Sequence, residues 1–246
     1  MESVLYQNLK KHKNKFFILF AAFVVLDIVL WYQIAAARLF RDDLRIYFLN
    51  IGQGDSELVV LPGGVKMLID GGPTNGRVLQ ELGKALPFTD RYIDLVMMSH
   101  PQLDHFGGLI DVVKRYRVGA FLYTGRSGTA KAYADLEKAL DDYNIQKIVL
   151  ERGDTIRYKE SSIDIISPSK EFLESKELND TSLVAELVSK NTRSLFTGDI
   201  GENIEKELLK KHGYDASKYL EELPSGKEAV TYNLFYPERY NLVSEV

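Results

Sequence analysis

Two histidines, an aspartate and an amide lie between positions 100 and 105 of the segment Val96–Leu109, VMMSHPQLDHFGGL. An apolar run ends at Ser99. The residues after it present His100, Gln102, Asp104 and His105, and Gly107 and Gly108 then lead into a helical pattern. Imidazole and carboxylate in one loop form a donor set suited to Zn, Mn or Fe. Polar groups just past a buried strand occupy the usual place of a site in a layered α/β fold. The glycine pair lets the next helix approach closely. The bland alternative is a hydrogen-bonded loop that merely caps that helix.

Short β-like runs alternate with helical ones around this segment. Strands are expected at Leu44–Ile51, Ser56–Leu61, Val65–Ile69 and Ile93–Met98. The Gly52-Gln53-Gly54-Asp55 turn and the Pro62-Gly63-Gly64 hairpin separate the first three. Val78–Leu86 is expected to be a helix stopped by Pro87. Leu109, Val112, Val113 and Tyr116 form one helical stripe, and Tyr133, Leu136, Ala139, Leu140 and Tyr143 another. Strands at Val118–Tyr123, Ile145–Leu150, Thr155–Tyr158, Ile163–Ser167, Leu183–Ser189 and Ser194–Thr197 precede a last helix at Ile204–Leu209. The pattern specifies one layered α/β (α+β) domain of mixed sheet with helices on its faces.

The 246 residues carry a formal net charge of −4, and 45% are hydrophobic, enough for a substantial core. From Arg38 onward there are 27 basic and 33 acidic residues. Such a domain does not bind nucleic acid by bulk electrostatics, so a polyanion would need a local patch or a bound cation. With no cysteine there are no disulfides, thiolate nucleophiles or cysteine zinc sites. Arg126 in TGRSGT and the lysines 206, 210 and 211 read as solvated side chains.

Residues 16–37, FFILFAAFVVLDIVLWYQIAAA, hold one charge, Asp27, in 22 residues. As a helix they would rise about 33 Å, enough to cross a bilayer core. Lys10, Lys11, Lys13 and Lys15 precede the run, which keeps residues 1–15 cytoplasmic and places the domain outside, at the cell membrane. A cleaved signal peptide ending near Ala35-Ala36-Ala37 and a buried core helix are the competing readings.

The chemical segment is similar to the H-x-H-x-D-H signature of the metallo-β-lactamase superfamily, with Gln102 at its second histidine. FLNIGQGDSELVVLPGGVKMLIDGG (48–72), SHPQLDHFGG (99–108), NDTSLVAEL (179–187) and LFTGDI (195–200) resemble, in that order, the soluble domain of ComEC-like competence proteins. The resemblance implies a four-layer αββα sandwich over residues 44–212, preceded by one transmembrane helix. It also implies one or two divalent ions, Zn or Mn, and hydrolysis of phosphodiesters or nucleic acid. His100, Asp104, His105 and Asp199 match metal ligands, and Asp104 also matches the residue that orients the attacking water. Asp70 matches an aspartate beside the site. Gln102 and Asn179 stand where many members carry histidine. Residues 213–246 match nothing in the resemblance, so the second half of the sandwich is expected to be incomplete. The alternative to an enzyme is a truncated or degenerate, non-catalytic member acting as a binding module. No protein partner is specified.

Overall fold

The computed structural model describes residues 15–32 and 43–212. Most of the expected cytoplasmic segment 1–15, the end of the 16–37 anchor and the 213–246 tail lie outside the described residues. The first unit contains helix α1, Lys15–Tyr32, with 18 residues and a mean hydropathy of 2.1. Its side chains are exposed throughout, and it is long and apolar enough to cross a membrane.

The second unit begins at Leu44. A six-stranded sheet runs in the order β1 (Arg45–Phe48), β2 (Glu57–Val60), β3 (Lys66–Ile69), β4 (Tyr92–Met97), β5 (Arg117–Tyr123), β6 (Gln146–Val149). The first two pairings are antiparallel hairpins. The last three are parallel, and each needs a crossover helix. These are α2 (Arg77–Ala85), the short α3 (Leu103–Phe106) with α4 (Leu109–Arg115), and α5 (Lys131–Asp142). A second, antiparallel sheet is ordered β10 (Thr192–Phe196), β9 (Val184–Ser189), β8 (Ser161–Ser167), β7 (Thr155–Tyr158). A four-residue α6 (Lys170–Leu173) and a 3₁₀ turn at Leu178–Thr181 join β8 to β9, and α7 (Glu202–His212) follows β10.

Side-chain alternation along the strands sorts the apolar residues into three layers. Leu58, Leu68, Val96 and Phe121 face the crossover helices through Val78, Leu82, Val112 and Leu136. Val59, Met67, Ile69, Met97 and Leu122 face the second sheet through Ile163, Ile165, Ala185 and Leu187. Ile166 and Val184 meet Ile204 and Leu208 of α7 on the far side. The result is the expected αββα sandwich. Burying each of these large side chains favours the fold by roughly 1.5–3 kcal/mol, so the three layers are the main source of stability. Asp94 interrupts the apolar run of β4. It is half-buried and accepts the Lys66 backbone N–H at 2.8 Å, which satisfies the start of β3.

Candidate metal centre

The parallel strands β3, β4 and β5 all end at one edge of the sandwich, and the loops beyond them carry the site. Asp70 follows β3 with φ 52°, a left-handed conformation that turns its carboxylate beneath the residues following β4. Its neighbours explain how it is held there. The Gly71 N–H donates to the His105 carbonyl at 2.7 Å, and the Gly108 N–H to the Gly72 carbonyl at 2.8 Å. A Cβ on Gly108 would lie 2.0 Å from the Gly71 oxygen, so only glycine permits this backbone contact. The Leu183 N–H donates to the Ser99 carbonyl at 2.9 Å, and Gly198 packs over the Ser99 side chain. These contacts bring the Thr-Gly-Asp loop after β10 over the histidines.

Asp70 is 1% exposed and controls both imidazoles. Its Oδ1 accepts the Ser99 backbone N–H at 2.7 Å and its Oδ2 accepts the Ser99 hydroxyl at 2.5 Å. Oδ2 also lies 2.9 Å from Nδ1 of His105. A carboxylate only accepts, so His105 carries its proton on Nδ1 there. Because the Ser99 hydroxyl has given its one proton to Asp70, its contact with Nδ1 of His100 at 3.0 Å requires that imidazole to be the donor. Both rings therefore direct Nε2 away from Asp70. Both Nε2 atoms are buried without a hydrogen-bond partner, and the ring centres are 4.1 Å apart. Nε2 of His105 stands 3.3 Å from Oδ2 of Asp199, an ion-pair distance without the alignment of a hydrogen bond.

Donor atoms of His100, His105 and Asp199 lie within 4.8 Å of one another. Two orphaned imidazole nitrogens facing a carboxylate fit a divalent cation, which replaces a proton as the positive partner. The electrostatics agree. Burial pulls His105 down, but contact with Asp199 and Asp70 overrides it and pushes the imidazole up to about 11. His100 is lowered, first by burial and then by repulsion from His105. Contact with His105 lowers Asp199 against its partial burial.

The remaining expected residues occupy distinct places. Asp104 is half-buried, outside the three-residue cluster, with Gln53 donating to its Oδ2 at 3.4 Å. Gly54 rests against the Asp104 carbonyl so closely that a Cβ would lie 1.9 Å from it, which ties the Gly-Gln-Gly-Asp turn to this loop. The Gln102 amide donates to Asn179 in a short hydrogen bond. The two positions where many superfamily members carry histidine are thus occupied here by amides that bind each other. Arg126 donates to the carbonyls of Leu173 and Ser175 at 3.1 and 2.9 Å and serves as a loop brace.

Two further residues escaped the sequence reading. Ser99, which in the sequence reads as the end of a strand, lies next to His100 and bridges it to Asp70. Glu57 is 7% exposed and borders a cavity of about 10 Å³, roughly one water, lined also by Asp55, Asp70, Ser99 and Thr197. Burial, then Asp55 and Asp70, raise its carboxyl well above the ordinary range. Its signal was an acid in the inward phase of β2, two residues before Val59.

The metallo-beta-lactamase superfamily model matches residues 49–231, so the chain belongs to that superfamily. The match extends beyond 212 into the segment expected to lie outside the domain. No curated protein matches. Among solved structures the chain is similar to CmlA, a diiron β-hydroxylase from Streptomyces venezuelae, at 15% identity and TM-score 0.45, covering 70% of this chain and 33% of that one. It is similar to a metallo-β-lactamase from Cronobacter sakazakii, a HARLDQ-motif mutant, at 15% identity and TM-score 0.42, covering 61% and 60%. The flavodiiron protein from Giardia intestinalis aligns at 16% identity and TM-score 0.42, covering 58% and 32%. The chain spans between one third and three fifths of the length of these relatives.

Proposed function

We propose that this protein is a membrane-anchored hydrolase with one divalent ion, Zn or Mn, that cleaves phosphodiesters of the nucleic-acid type outside the cytoplasm. The observation that carries the metal reading is the pair of buried Nε2 atoms on His100 and His105, neither with a hydrogen-bond partner, gathered beside the Asp199 carboxylate. The substrate class rests on the four ordered motifs that resemble ComEC-like proteins. Anchoring rests on α1 and orientation on the lysines before it. One ion is favoured because the other amides near the site, Gln102 and Asn179, satisfy each other.

His100, His105 and Asp199 would hold the ion. When bound, it supplies positive charge that acidifies a water and draws electrons from the bond under attack. Asp70 fixes the tautomers of both imidazoles, directly and through Ser99. Asp104, adjacent to His105 and partly open to solvent, takes the proton from the attacking water. The domain is acidic overall, so the ion also offsets repulsion of an anionic substrate.

The test is elemental analysis and nuclease assay of the purified full chain, with Asp104→Ala and His105→Ala as variants. One metal equivalent, chelator-sensitive cleavage and loss of both metal and cleavage in His105→Ala are expected. Undiminished cleavage by Asp104→Ala would overturn its assigned role. The Gln102–Asn179 clasp favours a second reading, a non-catalytic binding module. Absence of metal after incubation with Zn²⁺ and Mn²⁺ would establish that reading instead.

A further inference from the structure

The edge of the six-stranded sheet opposite the metal centre carries a concentration of arginine and aromatic side chains that the hydrolytic reading does not use. Strands β1, β3, β4 and β5 run in the same direction, so Arg45, Lys66, Tyr92 and Arg117, the first residue of each, share this edge. The loop leading into β4 adds Phe88 and Arg91. Phe88 is 83% exposed, the most exposed large hydrophobic among the described residues, and Tyr92 is 41% exposed.

The cations are arranged on the rings. The Arg91 guanidinium stands 6.0 Å from the centre of Phe88 and 5.5 Å from that of Tyr116, and Arg117 stands 5.9 Å from the centre of Tyr92. Arg115, at the end of α4, is exposed beside them. The acids nearby are largely committed. Asp90 is bound to Lys66 at 3.1 Å and Asp94 accepts the Lys66 backbone N–H. This edge is therefore basic in a domain that is acidic overall.

We propose that this basic and aromatic edge is a lipid-contact surface, with the arginines on anionic headgroup phosphates and Phe88 at the acyl boundary. Arginine forks match phosphate, and aromatic rings with a polar flank favour the bilayer interface. Chain connectivity brings lipid within reach of this edge. The domain begins at this edge with Arg45, and ten residues (33–42) separate Asp43 from the apolar helix. Such a tether reaches at most about 35 Å. The metal centre lies at the other ends of the strands, roughly 20 Å away for six residues, and is left open to dissolved substrate.

The proposal rests on the anchored reading, and its test separates the two. The chain has no cysteine, so single-cysteine probes are clean. Full-length Phe88→Cys and Ser127→Cys, the latter exposed in the loop after β5, would carry an environment-sensitive fluorophore. Both would be reconstituted into phosphatidylcholine vesicles containing phosphatidylglycerol and a lipid-borne quencher. The probe at 88 should be quenched several-fold more than that at 127. The excess should fall in 1 M salt or without phosphatidylglycerol, and with Arg91→Glu and Arg117→Glu combined. A chain that fails to float with vesicles overturns anchoring and proposal together. A chain that floats but shows equal quenching at both positions overturns the lipid contact alone. Protection of the 88 probe by a single-stranded oligonucleotide in place of lipid would assign the edge to nucleic acid.

Discussion

Metal binding should expel one proton from His105, and the affinity should report it. Without a cation, burial opposes the charged imidazole, but Asp199 at 3.3 Å and Asp70 at 2.9 Å hold it protonated up to about pH 11. At pH 7 that is four units above the ambient pH, or roughly 5 kcal/mol against the deprotonated ligand. A divalent ion must supply that energy to capture Nε2. His100 contributes no second proton, because its imidazole is held below the ordinary range. The apparent association constant for Mn²⁺ should therefore rise about tenfold per pH unit between pH 7 and 9. Calorimetric titration in two buffers of different protonation enthalpy should count about one proton released per ion.

Asp70→Asn removes one of the two carboxylates and should flatten the upper part of that slope. Stability must follow the same linkage. A raised histidine stabilises the folded protein fully below its unfolded value near 6.5, and the contribution is lost as pH rises toward 11. Metal-free protein should thus lose stability across that window, and metal-loaded protein should not. A pH-independent Mn²⁺ affinity, or no proton release at pH 7, would refute the assignment of His105 as the proton-exchanging ligand.

Three further outcomes are expected. Asp70→Ala removes the acceptor for Ser99 and His105, so metal affinity should fall about 10–100-fold by elemental analysis. Gly108→Ala would place a Cβ 2.0 Å from the Gly71 carbonyl. It should cost about 1–3 kcal/mol, read as a lower Tm whether or not metal is present. Burial, followed by Asp55 and Asp70, raises Glu57, so wild type loses stability as pH climbs above the ordinary glutamate range. Glu57→Gln should flatten that loss, and a steeper decline in thermal melts from pH 4 to 8 would contradict the buried-acid assignment.

The layered architecture was legible because it depends on local periodicity. The apolar run in Val65–Ile69 and the helical stripe from Leu109 to Tyr116 mark buried elements, and the structure buries them. Strand pairings and the glycine contacts between 71 and 108 are non-local and left no periodic trace. Helix α3 has four residues and α6 four, too short to show a period. Within the site, the proximity of His100 and His105 was visible in their spacing. The clasp between Gln102 and Asn179 joins residues 77 apart, so the sequence offered two separate departures where the structure has one contact.

The distribution of acids around His105 explains why the fold needs a cation there. Asp70, Asp199 and the cavity-lining Asp55 and Glu57 converge where the β-strand ends meet. The described cationic partner of the first two is His105 itself, since Lys66 and the arginines of the opposite edge lie a strand's length away. A buried carboxylate without a positive partner is costly enough to neutralise by taking a proton. Glu57 is driven in that direction, its carboxyl raised by burial and then by Asp55 and Asp70. Asp70 is stabilised by three hydrogen-bond contacts, and Asp199 by the imidazolium. A divalent ion on His100, His105 and Asp199 would perform the task of that imidazolium with one more unit of charge. The protonated His105 is thus the positive partner that such an ion would replace, in a centre held in shape by Asp70 and Ser99.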